Sequence, residues 1–321
     1  MFYSALHNRL LAATLAVFCL FLIATVAAWK VTQQVVLQEA SNRLYQDSSQ
    51  IKNLVSQRLE LYLLATESLT KSVEIGGDIT TASQWSSYIK SLGLTEKYPG
   101  VSSLSYSQKV EIPGKTSFII RYIEPLAGRE KAIGYDLTSE ENRRRALEKA
   151  RDTGKVAATG KITLPTTNGP GFGFFFPIYD TKIGPESPLE ERRAGLRAIV
   201  AVTFRGTEMF RAVYGQTDPF PNLDFEIYQN ENLTPANRLY DHDPNFAAVT
   251  DTNHHLSTKE IINIDGEKWV IVVTTKNELG FTFAQEILPK VILFSGLLVS
   301  LLFLAFFLYQ YKLHLASHQA T

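Results

Sequence analysis

A chain of 321 residues with 32 Lys and Arg against 32 Asp and Glu carries no net charge and offers no electrostatic case for a nucleic-acid partner. Its 45% hydrophobic content fits an ordinary folded protein with an added membrane component. The one cysteine, Cys19, lies in an apolar run, which excludes a disulfide framework and a cysteine metal site.

That run, Leu10 to Ala28, is uncharged, and at about 1.5 Å per residue it just spans a hydrocarbon core of ~30 Å. It reads as a transmembrane helix over 10–28 behind a cytoplasmic N-terminus, 1–9. Val26-Ala27-Ala28 leaves a cleaved signal peptide as the alternative, although signal h-regions are only about 7 to 15 residues long. From Lys30 to Ile75 there is no proline or glycine. Leu37, Ala40, Leu44, Ile51, Leu54, Leu61 and Ala65 recur at near-heptad spacing, interrupted by Asp47 and Arg58. The spacing predicts one long extracytoplasmic helix over 29–77, stopped by Gly76-Gly77 and able to pair with its copy in a homodimer. A helix packed along its own domain is the alternative.

Next, Trp85, Tyr88, Ile89 and Leu92 share one helical face, and Pro99-Gly100 turns the chain into a strand. Strands are predicted at Val101 to Val110, Phe118 to Glu124, Ala132 to Tyr135, Ala157 to Leu164, Phe172 to Tyr179 and Arg197 to Phe204, with a solvated loop from Asp180 to Arg193. Between the third and fourth strands lies a helix: Thr138 or Ser139 serves as N-cap, Ala146, Leu147 and Ala150 recur at helical spacing, and Gly154 ends it. Asp136 therefore precedes a helix N-terminus. It is either a cap stabilised by the helix dipole or an anionic acceptor aimed into a pocket, and periodicity does not choose. Arg143-Arg144-Arg145 reads as a solvated face.

The run Tyr135-Asp136-Leu137 through Asn142-Arg143-Arg144 and Ala150-Arg151-Asp152-Thr153-Gly154-Lys155, then Phe175-Phe176-Pro177-Ile178-Tyr179, resembles the CHASE domain, the extracellular sensor of receptor histidine kinases, adenylate cyclases and diguanylate cyclases. Tyr98-Pro99-Gly100-Val101 and Tyr122-Ile123-Glu124-Pro125 fit the same pattern in the same order. The resemblance is strong over Ser83 to Thr207. It implies an α+β fold with tandem PAS-like antiparallel-sheet lobes between two transmembrane helices: a distal ligand lobe, 78–205, and a membrane-proximal lobe, 206–286. By the same resemblance Asp136 matches the aspartate that accepts hydrogen bonds from ligand in the cytokinin-receptor members, and Thr153 matches a threonine ending the same helix. Ala158 stands where those receptors carry a pocket leucine, so an adenine-type ligand is not implied. Tyr106, Phe118, Tyr122, Phe174 and Phe176 are either pocket walls or sheet core.

In the second lobe, Glu208 to Val213 suggests a short helix and Asp224 to Tyr228 a strand. Ile261 to Thr274 is two alternating runs meeting at Asp265-Gly266, the composition of a two-residue hairpin. A second apolar run, Val291 to Leu308, places a transmembrane helix over 287–311 before a short cytoplasmic tail, 312–321. Arg9 and Lys312 favour cytoplasmic termini, while Lys30 and Lys290 dilute that signal.

Catalytic patterns are thin. His254 and His255 on a strand point to opposite faces and have no metal-spaced third ligand. Pro113-Gly114-Lys115-Thr116 has Lys109 where a phosphate loop needs glycine, and Gly169-Pro170-Gly171-Phe172-Gly173 lacks the setting of a dinucleotide fingerprint. No cofactor or enzymatic activity is expected. The expectation is a plasma (inner) membrane sensor, its ectodomain periplasmic or outside the cell, that binds a small molecule. Its signal would pass through the helices to a separate histidine kinase or nucleotide cyclase, since the tail beyond Tyr311 is too short for an output domain. A fragment of a longer receptor and a cell-envelope assembly factor remain the alternatives.

Overall fold

Phe2–Ile75 contains neither proline nor glycine, so nothing interrupts the hydrogen-bond ladder of the first helix, α1. The structure is a computed structural model that describes residues 2–75, 81–93, 98, 100–165, 169–214, 218–246, 255–264 and 267–319. Gly76-Gly77, Pro99, His254 and Asp265-Gly266 lie outside the described residues. The chain divides into two compact units, one of Met1–Leu44, Asn253–Leu256 and Asn277–Thr321, the other of Tyr45–Thr252 and Ser257–Lys276.

The first unit holds the N-terminal part of α1 and the last helix, which is α6 in chain order (Phe283–Gln319). Both are long and apolar enough to cross a membrane, with mean hydropathy 2.3 and 2.8 in their most apolar windows. Within this unit the two helices pack directly: Phe21 stacks on Phe303 at 4.9 Å. A side chain at Gly296 would overlap that of Thr25.

The second unit opens with the rest of α1 and with α2 (Ala82–Leu92), whose start is fixed by a capping box between Thr81 and Gln84. Strands β1 (Val101–Ile112) and β2 (Lys115–Glu124) follow, then α3 (Glu141–Thr153), β3 (Ala157–Ala158), β4 (Ile162–Thr163) and β5 (Pro170–Tyr179). After α4 (Leu189–Gly195) and β6 (Leu196–Phe204) the first lobe is complete, an antiparallel sheet ordered β2-β1-β6-β5-β3 with β4 also on β5. The second lobe comprises α5 (Gly206–Tyr214), β7 (Leu223–Tyr228), β8 (Arg238–Asp241), β9 (Ser257–Ile264) and β10 (Glu267–Thr275), with sheet order β8-β7-β10-β9. Every pairing is antiparallel. The α+β class with a long first helix, antiparallel-sheet lobes and an apolar helix at each end is thus as the sequence predicts.

The two lobes share an aromatic core. Trp269 of β10 lies edge-on to Phe172 at 5.1 Å and stacks on Phe174 at 6.2 Å, and Tyr62 of α1 stacks on Phe204 at 5.3 Å. At Gly100, φ is +90°, and any Cβ would overlap the Met209 backbone, so only glycine lets the start of β1 approach α5.

Several local expectations fail. Ala132 to Tyr135 is no strand: a 3-10 turn over Glu130–Ala132 leads into Gly134 at φ +85°, and the segment meets β2 through backbone bonds at Ile120 and an isolated bridge, Ile119 to Asp136. Ala157 to Leu164 is two short strands because Gly160, at φ +67°, breaks the extended backbone. The loop from Asp180 to Arg193 contains the start of α4. The heptad seam also divides: Ala40, Leu44 and Ile51 are buried within the chain, whereas Leu61 and Leu37 are exposed. The buried stripe in the second unit, Ile51, Val55, Leu59, Tyr62, Thr66, Leu69 and Val73, has the 3.6-residue period of a helix packed on its own domain.

Candidate functional site

Asp136 is set by the turn that precedes α3. Neither Thr138 nor Ser139 caps that helix; the residue before it is Glu140, which makes no capping bond. Asp136 instead caps the 3-10 turn Leu137–Ser139, its Oδ1 accepting from Thr138 N at 2.9 Å, Thr138 Oγ1 at 2.7 Å and Phe118 N at 3.4 Å. Its Oδ2 accepts from the Lys115 ammonium at 2.7 Å, and that lysine side chain is 53% exposed. Burial works against ionisation here, but the bonds from Lys115, Thr138 and Ser117 outweigh it and hold the carboxyl at about 2. Oδ1 is therefore committed to the fold, and Oδ2 faces an exposed cation.

The structure does not gather the remaining candidates around Asp136. Phe118 shares its region and is buried in the core beneath α3, with Ile120, Leu147, Phe175 and Ile199. Opposed residues in an antiparallel pair share a face. Tyr106 pairs with Tyr122 and Ser107 with Ile120, so Arg121 is an extra residue in β2. The bulge turns Tyr122 away from the face of Ile120. Tyr106, Tyr122, Val200 and Phe176 form one row, and Phe174, Val202 and Ala158 share that face, opposite Phe118. Ala158 lines a cavity of about 330 Å³ between the lobes with Lys149, Gln229, Glu267 and Trp269. Thr153 ends α3, its Oγ1 donating to the Lys149 carbonyl at 2.7 Å. At 1.5 Å per residue that is about 18 Å along the helix from its start.

The arginine run is likewise split by the helix. Arg144 and Arg145 are exposed, but Arg143 is 2% exposed. Its guanidinium donates to Glu140 at 2.8 Å and to the Thr163 carbonyl at 2.6 Å, 5.3 Å over the Tyr135 ring. Arg143 thus ties the entry of α3 to β4, a role that a polar run on a helix does not announce. Lys115, the partner of Asp136, carries no local sequence signal of that pairing either, since 21 residues separate the two.

The sequence profile of the CHASE domain matches residues 78–240, which include the whole first lobe and the second as far as β8. The chain belongs to the CHASE domain family. It is a membrane protein with an extracellular sensor domain between two apolar helices. Among solved structures, the ligand-binding domain of the Pseudomonas fluorescens chemoreceptor CtaA in complex with L-leucine is similar at a TM-score of 0.50 and 11% identity, over 78% of this CHASE chain and 100% of that one. The ligand-binding domain of the Pseudomonas aeruginosa PAO1 amino acid chemoreceptor PctC in complex with GABA gives 0.46 and 13%, over 73% and 99%. An extracellular ligand-binding receptor from Desulfohalobium retbaense DSM5692 gives 0.46 and 14% over 75% of this chain, which spans 39% of that receptor. The likeness to CtaA concerns the fold alone. No curated protein matches the CHASE chain.

Proposed function

We propose that this CHASE protein is a plasma-membrane (inner-membrane) sensor, not an enzyme, that binds a small extracellular molecule in its first lobe, with Asp136 as the acceptor, and passes the change through its helices. The observation that carries this reading is the carboxylate before α3: Oδ1 is held by the fold, while Oδ2 pairs with an exposed lysine. A ligand donor would take the place of Lys115. Phe118 adjoins it, its backbone N donating to Oδ1; Tyr106, Tyr122, Phe174 and Phe176 fit a core role, and Thr153 and Ala158 would respond through α3 and the lobe junction.

Coupling to α1 is supported by contacts from both lobes. Tyr62 stacks on Phe204, Lys52 pairs with Glu260 of β9 at 3.0 Å, and Arg58 donates to the Ala212 carbonyl of α5 at 3.1 Å. The proposed organisation is spans over 10–28 and 287–311, a helix over 29–77, lobes over 78–205 and 206–286, and cytoplasmic ends. The effector would be a histidine kinase or nucleotide cyclase reached through those spans. The homodimer would use the part of α1 outside its buried stripe, where Leu61 is exposed and Leu54 half-buried. Leu54→Lys with Leu61→Lys should then convert dimer to monomer in sedimentation of the full chain; an unchanged dimer refutes this interface.

The sensor reading is tested on intact spheroplasts. Added protease should cut between the spans, and one or more solutes from a panel of small metabolites should slow that cutting. Full protection without any solute would refute the topology, and no slowing by any solute would count against the sensor.

A further inference from the structure

A second cavity, of about 490 Å³, lies where the lobes meet and shares no lining residue with the Asp136 region. That volume is in the range of small-ligand sites, roughly 300–1,000 Å³. Its walls come from both lobes: Lys161 beside β4, Thr207 and Arg211 on α5, and Asp218, Tyr240 and Asp241 at β8 and before β7. The charges come from separate segments. Arg211 is exposed and has no carboxylate partner among the described residues, and Lys161 Nζ donates only to the Pro235 carbonyl, at 2.9 Å. Asp218 has His242 at 3.3 Å. Asp241 has Arg238 at 2.8 Å, but that guanidinium also pairs with Glu226, so two carboxylates share one cation.

The Asp218 charge leaves room for a cationic group at this wall. Burial lowers the pKa of His242, so its imidazole is neutral near pH 7 and leaves the Asp218 charge uncancelled. Burial and the like charges of Glu226 and Asp243 raise Asp241 in spite of Arg238, and an ammonium beside it would favour its charged form.

We infer that this cavity is a second ligand site for a small zwitterion, whose carboxylate sits against Arg211 and Lys161 and whose ammonium sits against Asp218 and Asp241. Both kinds of charge are required, because an anion alone would face the two carboxylates and a cation alone the two unpaired basic groups. Occupancy would join the Lys161 segment to β8 beside the bond that already links that segment to the end of β7 across the lobes, Lys161 N to Gln229 Oε1 at 2.5 Å. The site would thus hold the lobes together whatever binds at Asp136.

The test is calorimetry and thermal shift on the full chain in lipid nanodiscs. The probes are a panel of common L-amino acids and, for each that stabilises, the matching amine without the carboxylate and the matching acid without the amine. At least one amino acid should raise the Tm and both single-charge analogues should fail. Arg211→Ala and Asp218→Asn should each weaken binding by roughly tenfold or more, as expected for a lost charge-assisted bond, while Asp136→Asn leaves it unchanged. Arg211 is exposed, so its replacement should leave the unliganded Tm in place. Three results overturn the inference: no stabilisation across the panel, equal binding of a single-charge analogue, or binding that falls with Asp136→Asn and not with Arg211→Ala. The last result would assign the zwitterion to the first lobe and leave the proposed function standing.

Discussion

Arg143 in the first lobe and Asp224 in the second are both 2% exposed, yet their surroundings differ in kind. Arg143 meets a carboxylate and a carbonyl at 2.8 and 2.6 Å, so its charge is matched and its donors are used. Asp224 accepts one backbone bond, from Asp243 N at 3.0 Å, and feels Asp241 and Glu226 as like charges. Burial first, and then those neighbours, push it up to about 6. Equal burial therefore carries opposite consequences: it organises the first lobe and strains the second toward a protonated state.

The largest expected effect is at Arg143. Arg143→Met keeps much of the apolar bulk but leaves Glu140 and the Thr163 carbonyl without their donor, and should cost about 2–4 kcal/mol in denaturant unfolding. A loss below about 1 kcal/mol would show that the buried pairing is not what holds α3 to β4.

Removing the buried charge at Asp224 should have the reverse sign. Its folded-state pKa lies above the ordinary value of 3.8, so between those two values the folded protein holds a proton that the unfolded chain has released. Stability falls as pH rises from about 4 to 6 and then levels off. Asp224→Asn keeps the acceptor for Asp243 N and should stabilise the protein at pH 7.5 by roughly 1–3 kcal/mol, with little effect near pH 4. Thermal melts at the two pH values check this, and a destabilised variant at pH 7.5 would contradict the contrast.

The sequence made most elements legible because their signals are local. The runs of β1, β5 and β6, the helical spacing of Ala146, Leu147 and Ala150 with Gly154 behind, and the apolar end helices all carry their own period. What it could not carry was facing. Arg121 bulges out of β2 and reverses the alternation there, so aromatics that look alike in sequence end on opposite faces. The burial of Arg143 depends on Glu140 and on β4, and the cation opposite Asp136 arrives from the other end of β2. The cavity at the lobe junction draws on Arg211, Asp218 and β8, and β8 is too short and too polar to show a strand pattern. Asp136 itself stood out only through family resemblance, because a cap and a ligand acceptor look the same in sequence.

The smallest expected effect on stability is at Asp136, and there the contrast becomes functional. Its depressed pKa means that the charge contributes stability above about 3.8, a contribution lost only as pH falls through about 2. Asp136→Asn keeps the turn's acceptor but gives up the pairing with exposed Lys115 and weakens the bonds from Thr138 and Ser117, about 1 kcal/mol in all. Binding separates the two roles most directly: titrate the full chain and the Asp136→Asn variant, by calorimetry, with the solute that best slows proteolysis in spheroplasts. The account predicts nearly equal unliganded Tm values and a roughly tenfold or greater loss of affinity in the variant, the cost of one charge-assisted bond. Equal affinity in the two proteins, with Arg211→Ala also binding normally, would contradict it and leave Asp136 as a cap alone.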